Sequence, residues 1–200
     1  MTIIQQSSEN EMILAFLSAE IKSERFKNDL QSALKKLNLS ENIIINPDLT
    51  DEKQNLERKK ILGEYRGYGY HKEMFEHFPE QIEWKKCVFN QNDLPNIRYI
   101  DYDYWNELSR GTKSPLTAAE EIRKNHIVYD VPNDGFIKAA EFLKKGGKLP
   151  QMIFLTSDSK HFVIVEGHQR MTAYAMIPNA FVNIEVFVGF TTKNELDKWM

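Results

Sequence analysis

The stretch FVIVEGHQRMTAYAM, Phe162 to Met176, constrains the fold of this chain more than any other. Phe162-Val163-Ile164-Val165 is a continuous apolar run of the length of a buried strand, and a helix-like segment follows from Met171 to about Ile177. Between them stand an acid, a glycine, an imidazole, an amide and a guanidinium: Glu166, Gly167, His168, Gln169 and Arg170. The junction is therefore either a structural turn or an anion site.

Both readings have a physical basis. The first turn of a helix leaves backbone N–H donors unpaired, and the helix dipole places partial positive charge there. A glycine lets an anion approach the backbone, and an arginine in the same turn can grip phosphate through two parallel hydrogen bonds. His168 and Glu166 are the candidate catalytic groups, for proton transfer or for orienting a metal ion. In the plainer reading, Glu166 and Arg170 form an ion pair that stiffens the turn, and His168 is half exposed.

The flanking sequence divides into two unequal parts. Residues 1–80 read as a charged, helical N-terminal extension. Ser8 and Glu11 have capping-box spacing ahead of Ile13, Phe16, Leu17 and Ile21, and Phe26, Leu30, Leu34 and Leu37 form a second helical stripe. Ile43-Ile44-Ile45, closed by Asn46-Pro47, reads as a strand or extended connector, and Thr50 as the N-cap of a helix through Leu62. Residues 81–200 alternate short strands with helices. Strands are expected at Lys86–Phe89, Ile97–Ile100, "MIFLT", "HFVIVE" and "FVNIEVFVGF", and a helix from Phe136 to Lys145 is stopped by Gly146-Gly147. Helices layered on these strands make an α/β (α+β) domain.

The order of elements in FIKAAEFLKKGGKLPQMIFLTSDSKHFVIVEGHQRMTAYAMIPNAFVNIEVFV resembles the ParB/sulfiredoxin-like superfamily, also known as ParB-like nuclease domains. A helix ends in glycine, Leu149-Pro150 opens a strand, a turn runs through Ser157 to Lys160, and a second strand leads into the Gly-x-x-Arg turn. The likeness covers about residues 136–190. It implies a ParB/sulfiredoxin-like fold in which Gly167, His168, Gln169 and Arg170 receive nucleotide phosphates. The ligand would be a nucleotide (ATP, ADP or CTP) with Mg2+, or a phosphorylated small molecule, and phosphotransfer or nucleotide hydrolysis would be the chemistry. The branches of the superfamily fit unequally. Sulfiredoxins carry a cysteine after the glycine, where this chain has His168. Partition proteins carry Gly-Glu-Arg-Arg and a downstream helix-turn-helix, whereas about ten residues follow the last strand here. Free-serine kinases carry Gly-His-His-Arg, one residue away from this turn, but their other acids find no clear counterpart.

A second candidate phosphate loop is LSRGTKSP, in which Ser109, Arg110, Thr112 and Lys113 surround Gly111; it lacks the form of a P-loop, and a solvated loop is the competing reading. Arg58, Lys59, Lys60, Arg66 and Lys72 interleave with Tyr65, Tyr68 and Tyr70, the one feature that favours single-stranded nucleic acid, though Glu57, Glu64 and Glu73 dilute it. Formal net charge is −3, so no overall basic field draws the chain to nucleic acid or anionic lipid. The aromatic group Tyr99, Tyr102, Tyr104 and Trp105 reads first as core. His71 and His77 are wrongly spaced for one helix face, and no metal site is expected. A single cysteine, Cys87, no secretory signal and no long apolar run suit a cytoplasmic protein that avoids the membrane.

Overall fold

The computed structural model describes residues 1–200 and gives a mixed α/β architecture built on a six-stranded sheet of order β1-β2-β6-β4-β5-β3. The strands are β1 (Thr2–Gln6), β2 (Glu83–Phe89), β3 (Ile97–Arg98), β4 (Ile153–Thr156), β5 (Phe162–Glu166) and β6 (Ile184–Phe190). β4 and β5 form an antiparallel hairpin, β6 lies parallel to β4, and β3 lies parallel to β5. β1 and β2 complete the other edge in antiparallel pairing.

Helices cover both faces, and this explains the unbroken apolar runs of the central strands. Val163 and Val165 of β5, with Ile153 and Leu155 of β4, join a core formed by α1 (Glu9–Glu20), α2 (Lys27–Lys36), α3 (Asn42–Ile45) and α4 (Glu52–Arg66), on which Leu196 and Trp199 of α9 (Lys193–Trp199) also pack. Phe162 and Ile164, with Phe154, face a second core under α5 (Asp103–Leu108), α6 (Pro115–Arg123), α7 (Asp134–Lys144) and α8 (His168–Met176). The period-2 alternation of a strand thus feeds two cores at once.

The N-terminal region is a cover for the sheet, woven into it by β1. Met12, Ile13, Phe16 and Leu17 of α1 are fully buried, each contributing about 1.5–3 kcal/mol relative to exposure. Ser8 caps α1 by accepting from the Glu11 N–H, but the Glu11 carboxylate turns away to Ser7 and Lys86, so only half of the capping box forms.

Several local expectations change. Ile43–Ile45 is a turn of helix, because Ile44 alone is buried and points into the α1–α4 core. The N-cap of α4 is Asp51, whose carboxylate accepts from the N–H groups of Lys53 and Gln54; Thr50 bonds to Asp48 instead. The strand at Ile97 ends at Arg98. β1 has no counterpart in the sequence reading, since all five of its residues are exposed and lack the half-buried alternation of a typical edge.

Candidate functional site at the start of α8

Two constraints make position 167 a glycine. Its φ is +103°, in the left-handed region that L side chains avoid, and a Cβ there would stand 2.6 Å from Met152 Cγ. This turn carries β5 into α8 with no side chain capping the helix; the Met171 N–H makes the first helical bond, to the Gly167 carbonyl, at 2.8 Å. The N–H groups of His168, Gln169 and Arg170 ahead of it are the unpaired donors of the first turn.

Arg170 is held inside the turn. Its Nη1 donates to the carbonyl oxygens of Gln151 at 2.5 Å and Pro150 at 3.1 Å, and its Nη2 donates to Glu166. The two side chains are 13% and 17% exposed. The guanidinium therefore ties the strand–helix junction to the residues leading into β4. Burial pushes the Glu166 carboxyl above its usual range, against the pull of Arg170, and the nearby Glu20 carboxylate adds to the rise.

His168 opens α8 with its ring stacked on Trp105 (5.2 Å, 15°) and 6.0 Å from Tyr99. Its Nε2 is buried and has no hydrogen-bond partner. Burial, aided by the positive charge of Arg170, pushes the imidazole down to about 3, so the ring is neutral near pH 7. A ring of such low basicity is a weak proton acceptor, and Glu166 is already paired. Beneath the ring, Tyr99 Oη and Thr172 Oγ1 lie 2.6 Å apart, and Thr172 donates to the His168 carbonyl at 2.7 Å. Gln169 is exposed, and its amide rests against Gly135 of α7.

The Ser109–Lys113 loop reaches this site at one remove, through Trp105 and through Tyr99, whose N–H donates to the Lys113 carbonyl at 2.8 Å. Ser109 is fully buried, with Oγ donating to the Trp105 carbonyl at 2.7 Å. Thr112 donates to the Ser109 carbonyl at 2.7 Å, Arg110 pairs with Glu121 at 2.8 Å, and Lys113 lies 3.5 Å from Asp101. Its hydroxyls and cations are engaged within the protein, and Arg110, Gly111 and Lys113 all take positive φ to place them so.

The basic, tyrosine-rich segment is turned inward in part, while Lys60, Tyr70 and Lys72 stay exposed. Arg58 is fully buried and donates to the carbonyls of Ile43 and Asp48 and to Asn55. Lys59 pairs with Glu9 and Arg66 with Glu20, while Tyr65 and Tyr68 are buried. An open cleft of about 400 Å³ lies by this segment, lined by Asp29, Ser32, Lys36, Glu64, Arg66 and Glu73, with Lys36 already bridging to Glu64. Cys87 is buried and its thiol is pushed up to about 11 by that burial, which marks it as inert packing. No group of three or more His, Cys, Asp and Glu side chains is placed to hold a metal ion, and no helix is long and apolar enough to cross a membrane.

No protein-family model, curated protein or solved structure matches this chain. The sequence reading overlooked several contributors to the site. Thr172 is an ordinary helical residue, Gly135 bears no local mark of its contact with Gln169, and the acceptors at positions 150 and 151 are backbone carbonyls. Only the density of aromatics around Trp105 was a visible signal.

Proposed function

We propose that this chain is a phosphate- or nucleotide-binding protein of the ParB/sulfiredoxin-like kind, which holds its ligand at the start of α8 through backbone N–H groups. The observation that carries this reading is a helix of nine residues opened by a left-handed glycine with no side-chain cap. Such a start offers several N–H donors and the positive end of the dipole to an anion. Arg170 contributes by fixing the turn and by its positive charge; its Nη atoms are already shared among Glu166 and two carbonyls.

Binding without chemistry is the form of this proposal. Phosphotransfer or hydrolysis needs a group poised to move a proton, and His168 is too weakly basic while Glu166 is held by Arg170. With no acidic cluster at the turn, magnesium would arrive on the nucleotide's own phosphates. A single buried thiol suits a reducing, cytoplasmic setting. Nucleic acid is the weaker alternative, because Arg58 is buried and Lys59 and Arg66 are paired.

The test is a thermal-shift series with ATP, ADP, CTP and pyrophosphate, with and without magnesium, on the wild type and on Gln169→Glu. A carboxylate in the first turn suits the helix dipole, so the variant folds, yet it repels an anion from the same donors. The wild type should melt higher with at least one ligand, and the variant should lose that rise. No rise at millimolar ligand, or a rise that persists in Gln169→Glu, would overturn the proposal.

A further inference from the structure

The two edges of the sheet are finished differently. β3 is two residues long, its Ile97 is buried, and the Tyr99 N–H just beyond it is given to the Lys113 carbonyl at 2.8 Å. β1 is five residues long, pairs with β2 on one side and has no strand on the other. All five of its residues are exposed, Ile3 to 49% and Ile4 to 50%.

Folded proteins protect such an edge with charge, proline or a covering loop, because its outward N–H and C=O groups template another strand. Thr2–Gln6 reads TIIQQ and carries neither charge nor proline. Its one interruption is a bulge at Ile4, which has no partner residue on β2. Past the bulge the ladder is regular. Gln5 and Gln6 pair with Lys86 and Lys85, and the Ser7 N–H donates to the Trp84 carbonyl at 2.9 Å. Backbone groups alternate in direction along an antiparallel strand, so Gln6, one residue before Ser7, turns its N–H and C=O away from β2.

Charge decides what kind of strand fits there. The charges beside the edge are matched: Lys86 with Glu11 at 2.5 Å and Lys85 with Glu83 at 3.2 Å, and Glu83 also accepts from Gln6 at 3.0 Å. No excess charge draws an acidic or basic segment, so the fitting partner is a neutral strand with exposed apolar side chains. β1 itself meets that description. Turned end for end about a two-fold axis, it pairs with its own copy without opposing like charges in any register.

We propose that β1 is a self-association edge, on which a second copy of this chain pairs antiparallel through its own β1. Ile3 and Ile4 lose water at the seam, and the two sheets become one. A five-residue strand on each side falls well short of the about 20–30 residues that a standard interface buries, so the dimer is weak and forms as concentration rises. β1 lies four strands from β5, about 19 Å across the sheet, and the pairing leaves the start of α8 free.

Sedimentation velocity on the full chain over a wide concentration range, with hydrogen exchange at the same concentrations, tests this. The wild type should pass from monomer to dimer, and the Gln6 amide should exchange more slowly as it does so. Ile4→Lys places a charge on the edge and should weaken association about tenfold or more. Gln6→Pro removes the outward N–H, spares the bonds to β2 and should do the same. The wild-type series with the Gln6 amide decides the matter on its own if a variant folds poorly. A monomer at every concentration overturns the self-pairing and leaves the edge to an extended segment of another protein. A dimer that leaves the Gln6 amide unprotected, or that persists undiminished in Ile4→Lys, overturns the placement at β1.

Discussion

Arg170 closes on Glu166, the residue that ends β5 four positions earlier, and in the same grip reaches the carbonyls of Pro150 and Gln151 ahead of β4. One guanidinium thereby joins two strands and a helix start. The pair is largely withdrawn from water, so its members depend on each other. Arg170→Met should cost about 3–5 kcal/mol, because it strands a carboxylate and two carbonyls. Adding Glu166→Gln should restore part of that loss. Urea unfolding of the two single variants and the double variant measures the coupling.

Gly167 is fixed by conformation and by space together. Gly167→Ala would meet both the left-handed φ and Met152, for a cost of about 3 kcal/mol. Met152→Ala should relieve the steric share in the double variant and leave the conformational share. Denaturation midpoints of the four proteins check the division.

The neutral His168 gives stability a pH dependence. Its pKa falls to about 3 on folding, so the unfolded chain takes up a proton that the folded protein refuses. The contribution is fully present above the ordinary histidine range near 6.5 and is lost as pH falls toward 3. Between pH 7 and pH 5 the loss should reach up to about 2 kcal/mol. His168→Phe keeps a ring against Trp105 and cannot titrate. Its stability should fall less over the same interval, as measured by urea unfolding at both pH values.

Arg58 is structural, and its replacement should reveal instability where a nucleic-acid contact would reveal lost binding. Arg58→Ala removes hydrogen bonds to Ile43, Asp48 and Asn55 and should cost about 3 kcal/mol. The folded wild type should pass a single-stranded DNA column at low salt without retention.

The legible parts of this protein are those whose physics is local. The turn at Gly167 shows in the sequence because a glycine between an apolar run and a helical one has few other uses. β4 and β5 show as unbroken apolar runs because both of their faces are buried. β1 does not show, because Thr2 to Gln6 bury no side chain and are held by backbone pairing to β2. Ile43-Ile44-Ile45 misleads for the opposite reason: β-branched residues suggest a strand, and burial of Ile44 under α1 and α4 overrides that preference. Charge misleads in the same way at Arg58 and Arg66, where a long-range carbonyl or carboxylate turns a cation inward. The acceptors of Arg170 lie on backbone atoms of Pro150 and Gln151, and no side-chain pattern encodes them. Sequence revealed the ion pair and the anion site as alternatives. The fold makes the first of them, and the uncapped N–H groups beside it keep the second open to experiment.

Backbone amide resonances followed by NMR during titration with a nucleotide test the central claim most directly. Saturable shifts led by the amides of His168, Gln169 and Arg170 are expected. Shifts confined to Ser109–Lys113 or to the α2–α4 cleft, or none at millimolar nucleotide, would contradict it.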